Sequence, residues 1–217
     1  MNPKIKVSYV SHMGDDLTIV NAARVSFNKS SDTLDDRDKK LINYLAEHNH
    51  MSPFEHCTLT VLIEVPLYIR SQIHRHRTFA YNEVSRRYTS EDLDFYVPDM
   101  GDIRKQSKSN RQGSDGELDE DESMAVQAMM NKFHADSLAL YNNLLDLGVC
   151  REQARGVLPQ NLMTKFYMTG NLRNFAHFLK LRSHKGAQQE AQEVADQLRA
   201  ILTEKYPQAL EALTRVL

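Results

Sequence analysis

Arg70–Tyr88 reads RSQIHRHRTFAYNEVSRRY. Five arginines (Arg70, Arg75, Arg77, Arg86, Arg87) and two histidines (His74, His76) fall in nineteen residues that hold one acid, Glu83. Two tyrosines, a phenylalanine, Gln72, Asn82 and Ser85 are interleaved with them. A segment of this kind is not expected as a core strand or helix, because buried arginines need partners that Glu83 alone cannot supply. Arginine presents a planar fork of donors suited to phosphate or carboxylate, and aromatic rings present flat faces for stacking. The stretch therefore calls for an anionic, ring-containing ligand, and it divides a chain that alternates short strands with helices.

Outside it, 217 residues suffice for a substantial core, and one domain over 1–217 is expected. The net charge is −2, so the basic cluster is local and offset elsewhere. That favours a focused anion site over a general nucleic-acid coat. Cys57 and Cys150 are the only cysteines and form no CxxC pair, so small core residues are expected at both, in a reducing compartment. The opening run MNPKIKVSYVSHMGDD turns polar too soon for a signal peptide, and no apolar run approaches membrane-spanning length. A soluble, cytoplasmic protein is expected.

Along the chain, residues 4–10 alternate as a strand. Asp15 or Asp16 caps a helix through Ala23, and Asp35 or Asp36 starts another with Leu41, Ile42 and Leu45 on its apolar stripe. Ser52-Pro53-Phe54-Glu55 has capping-box spacing, with proline where a first helical residue tolerates it. Residues 58–65 read as a strand with Leu59, Val61, Ile63 and Val65 on one face. A helix from Pro66 to about Arg75 would align Gln72 with Arg75, and the segment beyond Arg77 reads as an ordered loop. Residues 101–123, almost free of apolar side chains, read as a mobile surface insertion. A long helix follows to about Leu147, stopped by Gly148. Next come a short helix at 151–159 and a strand at 161–168. Asn171 caps a helix over Leu172–Arg182, and two polar helices finish the chain, at about 187–204 and 207–216. This irregular alternation predicts an α+β (irregular α/β) fold, a mixed sheet with flanking helices.

Several chemistries lack support. His48/His50 and His74/His76 share a face only on a strand, and arginines beside His74 and His76 would repel a cation, so no metal site is expected. There is no GxSxG, GxGxxG or GxxxxGK[ST] motif. Any nucleotide must be held by side chains and helix ends.

Arg75-His76-Arg77-Thr78-Phe79-Ala80-Tyr81-Asn82-Glu83-Val84-Ser85-Arg86-Arg87-Tyr88 resembles the RHRxxSxNExSxRY signature of the flavin-dependent thymidylate synthase (ThyX) family. Ala23–Phe27, His50–His56, Ala154–Pro159 and the run from Asn171 to Arg182 resemble further family blocks in the family's order, over roughly residues 15–205. One departure stands out: the family's first serine is Ala80 here.

The resemblance implies reductive methylation of dUMP to dTMP. Its co-substrates would be 5,10-methylenetetrahydrofolate as carbon donor and NADPH, whose hydride FAD relays. It places Gln72, Arg75, Glu83, Ser85, Arg86 and Arg87 around dUMP, with Arg155 from a neighbouring subunit. Arg182 would sit against the uracil as the catalytic charge that favours its anionic form. Ser52, Arg75, His76, Arg77, Glu83, Asn171, Arg173 and His177 would hold FAD, and His50 would border the folate or nicotinamide side. The family's homotetramer, with active sites shared between subunits, is expected, without nucleic-acid or membrane partners. On this reading Arg75–Arg77 serve the flavin, while Glu83–Arg87 serve the nucleotide in a different active site of the tetramer. Two other classes fit the residues alone: an arginine-rich nucleic-acid-binding module, which the net charge disfavours, and a metal-dependent nucleotide phosphohydrolase.

Overall fold

A computed structural model of the chain describes residues 3–91 and 93–216. The architecture is mixed α and β. The strands are β1 (Lys6–Met13), β2 (Thr58–Pro66), β3 (Ala80–Glu83), β4 (Arg104–Gln106), β5 (Ser114–Glu117) and β6 (Met163–Asn171). The helices are α1 (Asp16–Arg24), α2 (Asp36–Glu47), α3 (Leu67–Ile73), α4 (Glu120–Asp146), α5 (Arg151–Ala154), α6 (Leu172–Arg182), α7 (Gln189–Lys205) and α8 (Pro207–Val216). Four strands form one sheet in the order β1-β2-β6-β3, and β4 pairs antiparallel with β5.

The chain divides into two compact units. The first comprises Met1–Ile5, Glu64–Gln72 and Glu83–Lys165; the second comprises Lys6–Ile63, Ile73–Asn82 and Phe166–Leu217. Their boundaries fall just before β1 and inside β2, α3, β3 and β6.

In the second unit the local signals act as expected. Asp15 closes a capping box with Thr18 at α1, and Asp35 does the same with Asp38 at α2. Leu59, Val61 and Ile63 of β2 are buried, as its alternation requires. Helix α6 buries Leu172, Phe175, Ala176, Phe178 and Leu179, the larger of them worth about 1.5–3 kcal/mol each. At the start of α8, Asp16 accepts hydrogen bonds from the Gln208 and Ala209 backbone N–H groups, both at 2.9 Å. The Tyr206 hydroxyl donates to the Met13 and Thr58 carbonyls, tying the end of α7 to β1 and β2.

The first unit is organised by α4, the longest helix described. Asp119 and Glu122 form its capping box, so it starts at Glu120, inside the 101–123 stretch expected as a surface insertion. Gly148, at φ +85°, follows its end. Tyr141 of α4 packs into an apolar cluster with Ala154, Leu158 and Leu162.

Several local expectations need correction. Residues 80–83 are strand, not loop: half-buried alternation over four residues is too short to stand out among charges. Residues 52–56 form a single 3₁₀ turn with no side-chain cap, so the capping box from Ser52 to Glu55 does not form. Helix α3 stops at Ile73, which removes the helical spacing that would align Gln72 with Arg75. Within 101–123 the chain forms the β4–β5 hairpin. Cys57 is buried, and burial foremost, with Asp15 and Asp16, pushes its thiol up to about 12. Cys150 is exposed rather than a core residue.

Candidate functional site

Each unit carries a cleft lined by residues from the basic stretch or from α6. The cleft of the first unit, about 560 Å³, is lined by Arg70, Glu83, Ser85, Arg86, Glu152, Arg155 and Thr164 over an apolar floor that includes Leu67, Leu158 and Leu162. Glu83 lies at its centre of connectivity. Its Oε2 accepts from Arg70 Nε at 2.9 Å and from Nη2 at 2.5 Å, and its Oε1 accepts from the Thr164 hydroxyl at 2.8 Å. Arg86 reaches the carbonyls of Glu91 and Met163. Arg155 Nε donates to the Glu152 carbonyl at 3.3 Å.

Glu83, Ser85, Arg86 and Arg155 thus meet in one cleft of one chain. The start of the 155–157 turn and the end of β3 belong to the same compact unit, so Arg155 lines the same cleft as the 83–86 segment of its own chain. Gln72 and Arg87 do not line this cleft. Arg87 turns toward Tyr88 instead, donating to its hydroxyl at 3.0 Å.

The second unit's cleft, about 500 Å³, is lined by Asn49, Met51, Thr78, Arg173, Asn174, Ala176, His177 and Leu213. Arg173 and His177 are four residues apart on α6 and so share a face. Asn171 does not line the cleft; its side chain caps α6, accepting from Asn174 N–H at 2.9 Å. Arg173 pairs with Glu55 at 2.6 Å, with both side chains partly exposed. Ser52 and Arg77 are exposed and outside the lining. His50 lies in an exposed ring cluster in which Tyr44 stacks on His48 at 4.0 Å and His50 stands 6.1 Å from Tyr44.

A separate cluster joins His76 to Arg182, whose Nε donates to His76 Nε2 at 2.9 Å. That bond requires an unprotonated Nε2. His76 is buried against Phe178, ring centroids 4.6 Å apart. Burial first, then the charges of Arg182 and His177, push its pKa down to about 4. Arg182 is itself pulled below the ordinary guanidinium value, by burial first and then by the like charge of Arg75.

The aromatics of the stretch divide. Phe79 is buried beside Phe175, centroids 4.9 Å apart. Tyr81 donates its hydroxyl to the carbonyls of Ile73 and His76. Tyr88 is 77% exposed. Of the three rings expected as stacking faces, Phe79 is internal and Tyr81 is half-buried and stacked on His74, which composition alone could not distinguish. Arg70 and Thr164 in the first cleft, and Asn49, Met51, Thr78 and Asn174 in the second, were not picked out as site residues. For Arg70 a signal existed: it lies three residues after Leu67 on α3, and both line the cleft.

Fold and site together describe an α+β protein with two clefts that each bring arginine beside polar donors. A family model described as thymidylate synthase complementing protein matches residues 8–208, and the chain belongs to that family. It is 41% identical over 206 residues to a flavin-dependent thymidylate synthase of Thermus thermophilus, covering 95% of this chain and 74% of that protein. It is likewise 41% identical over 206 residues to that of Kosmotoga olearia, covering 95% and 88%. The crystal structure of the UMP/dUMP methylase PolB from Streptomyces cacaoi, bound with 5-Br dUMP, superposes with a TM-score of 0.89 at 34% identity, covering 99% of this chain and 96% of that one. No helix among the described residues is long and apolar enough to cross a membrane.

Proposed function

We propose that this chain is a flavin-dependent thymidylate synthase that converts dUMP to dTMP, with 5,10-methylenetetrahydrofolate as carbon donor and NADPH as reductant of bound FAD. The observation that carries the reading is the convergence of Glu83, Ser85, Arg86 and Arg155 on one cleft. Two chain segments about seventy residues apart supply the arginines and hydroxyl donors that suit a nucleotide phosphate. Ser85, Arg86 and Arg155 bind and orient dUMP there, and Gln72 and Arg87 flank it.

The donor set of the second cleft fits a flavin dinucleotide: Arg173 and His177 on one helix face offer positive charge and N–H donors, while Met51 and Leu213 give an apolar wall. Arg173 and His177 hold FAD, with Ser52, Arg75, His76, Arg77 and Asn171 at its borders. Bound FAD supplies the hydride relay. The chain's own part is to bind, orient and set charge. Arg182, aimed by its bond to His76, favours the anionic form of the uracil and so makes C5 electron-rich. A homotetramer with active sites shared between subunits is part of the proposal and rests on the resemblance.

The test is a tritium-release assay on dUMP labelled at C5, with FAD-loaded protein, NADPH and 5,10-methylenetetrahydrofolate. UMP is run beside it, since the Streptomyces neighbour is a UMP/dUMP methylase. Expected are release of tritium, formation of dTMP and bleaching of the flavin by NADPH. Flavin-loaded protein that forms no methylated product would overturn the reading. Arg182→Ala should bind FAD normally and lose roughly a hundredfold or more in turnover.

A further inference from the structure

We infer that Arg70 is a positioning residue of the first unit's cleft, holding Glu83 so that one acceptor site of its carboxylate stays open to a nucleotide while its charge is cancelled. The inference rests on the reading of that cleft as a dUMP site. Arg70 lies outside the Arg75–Tyr88 signature.

A carboxylate offers about four lone-pair sites. Arg70 fills two on Oε2 and Thr164 fills one on Oε1, which leaves a single site, on Oε1. Such a carboxylate can receive one ligand donor in a fixed direction but cannot swing to meet several. A sugar hydroxyl of a nucleotide is a donor of that kind; a phosphate dianion, having no proton to give, is not.

Charge points the same way. The cleft lining contains Arg70, Arg86 and Arg155 against Glu83 and Glu152. Without Arg70 the two carboxylates would balance the remaining two arginines, and a nucleotide monophosphate would meet no net attraction. Arg70 is about one-third exposed and Glu83 about one-fifth, so the pair is shielded enough from water to hold its geometry. Arginine suits the task because its Nε and Nη2 grip one oxygen together, which a lysine ammonium on a flexible stem cannot reproduce.

Calorimetric titration of FAD-loaded, full-length protein with dUMP tests this, using Arg70→Gln, Arg70→Lys, Glu83→Gln and the Arg70→Gln/Glu83→Gln double variant, with thermal melts as the folding control. Arg70→Gln should weaken dUMP binding about tenfold. Arg70→Lys should recover part of that loss, and the double variant should bind no more weakly than Glu83→Gln alone. Wild-type affinity in Arg70→Gln sinks the inference. So do fully additive losses in the double variant, which would make Arg70 a direct ligand contact. A wild-type protein that binds FAD but not dUMP instead refutes the nucleotide reading beneath it. Should Arg70→Gln melt early, the Arg70→Lys comparison decides the matter.

Discussion

Gly170, in β6, has no room for a side chain. A Cβ there would lie 2.4 Å from the Phe79 ring, which is hemmed in by Phe175 and Phe178. Gly170→Ala should therefore cost about 1–3 kcal/mol, seen as a lower urea midpoint at unchanged slope. The same contact shows what a single residue did and did not reveal beforehand. Phe79 sits inside the signature, where its ring looked available for stacking on a ligand. Only the neighbouring phenylalanines of α6, almost a hundred residues later, show that it is part of the core. Glu83 was legible as a site residue from its isolation among arginines. Its commitment to Arg70 and Thr164 was not, because Thr164 reaches it from another strand.

At the scale of elements, end chemistry settles much of the fold. Asn171→Ala should lose about 1 kcal/mol through the uncapped start of α6, whereas Asn171→Asp should keep most of it. Paired thermal melts separate that structural loss from any effect on flavin affinity. Asp16 caps α8 from nearly two hundred residues away. Asp16→Ala, which leaves the buried Ala209 N–H and the part-buried Gln208 N–H without their acceptor, should cost about 1–3 kcal/mol in urea unfolding. The caps at Asp15, Asp35 and Asn171 and the stop at Gly148 could be read in advance because cap and helix are adjacent in sequence. The Asp16 cap could not, and neither could β3, whose identity as a strand depends on its place at the edge of the sheet. The Ser52 motif had the right spacing but lies in a five-residue 3₁₀ turn, too short to use it.

For the whole molecule, pH should matter in a defined direction. His76 titrates near 4 in the folded chain against an ordinary value of 6.5, and His134, lowered by burial and stacked on Phe95, shifts the same way. Between those values the unfolded chain binds more protons than the folded one. The contribution is therefore complete above pH 6.5 and is lost as pH falls toward 4, by up to about 3 kcal/mol for His76. Asp16 opposes it. Burial foremost raises its pKa against the lowering effect of its two N–H bonds, so the folded state gains relative stability as that carboxyl protonates. The melting temperature should fall from pH 6.5 to 4, and His76→Gln, which keeps an acceptor for Arg182, should flatten that fall. An unaltered profile in His76→Gln would remove His76 from the account.

The two compact units are each assembled from three separated stretches, and the chain passes between them at residues 5, 63, 72, 82 and 165. No contiguous gene fragment therefore encodes either one, and cutting a surface loop cannot release one intact. Synthesis also imposes an order. The last stretch the first unit needs has been translated by Lys165, while the second must wait for α6, α7 and α8. Its opening helices and strands, more than fifty residues, thus spend most of translation without the apolar partners on α6 and α7 that will cover them. During that interval they are the part of the nascent chain most in need of a chaperone.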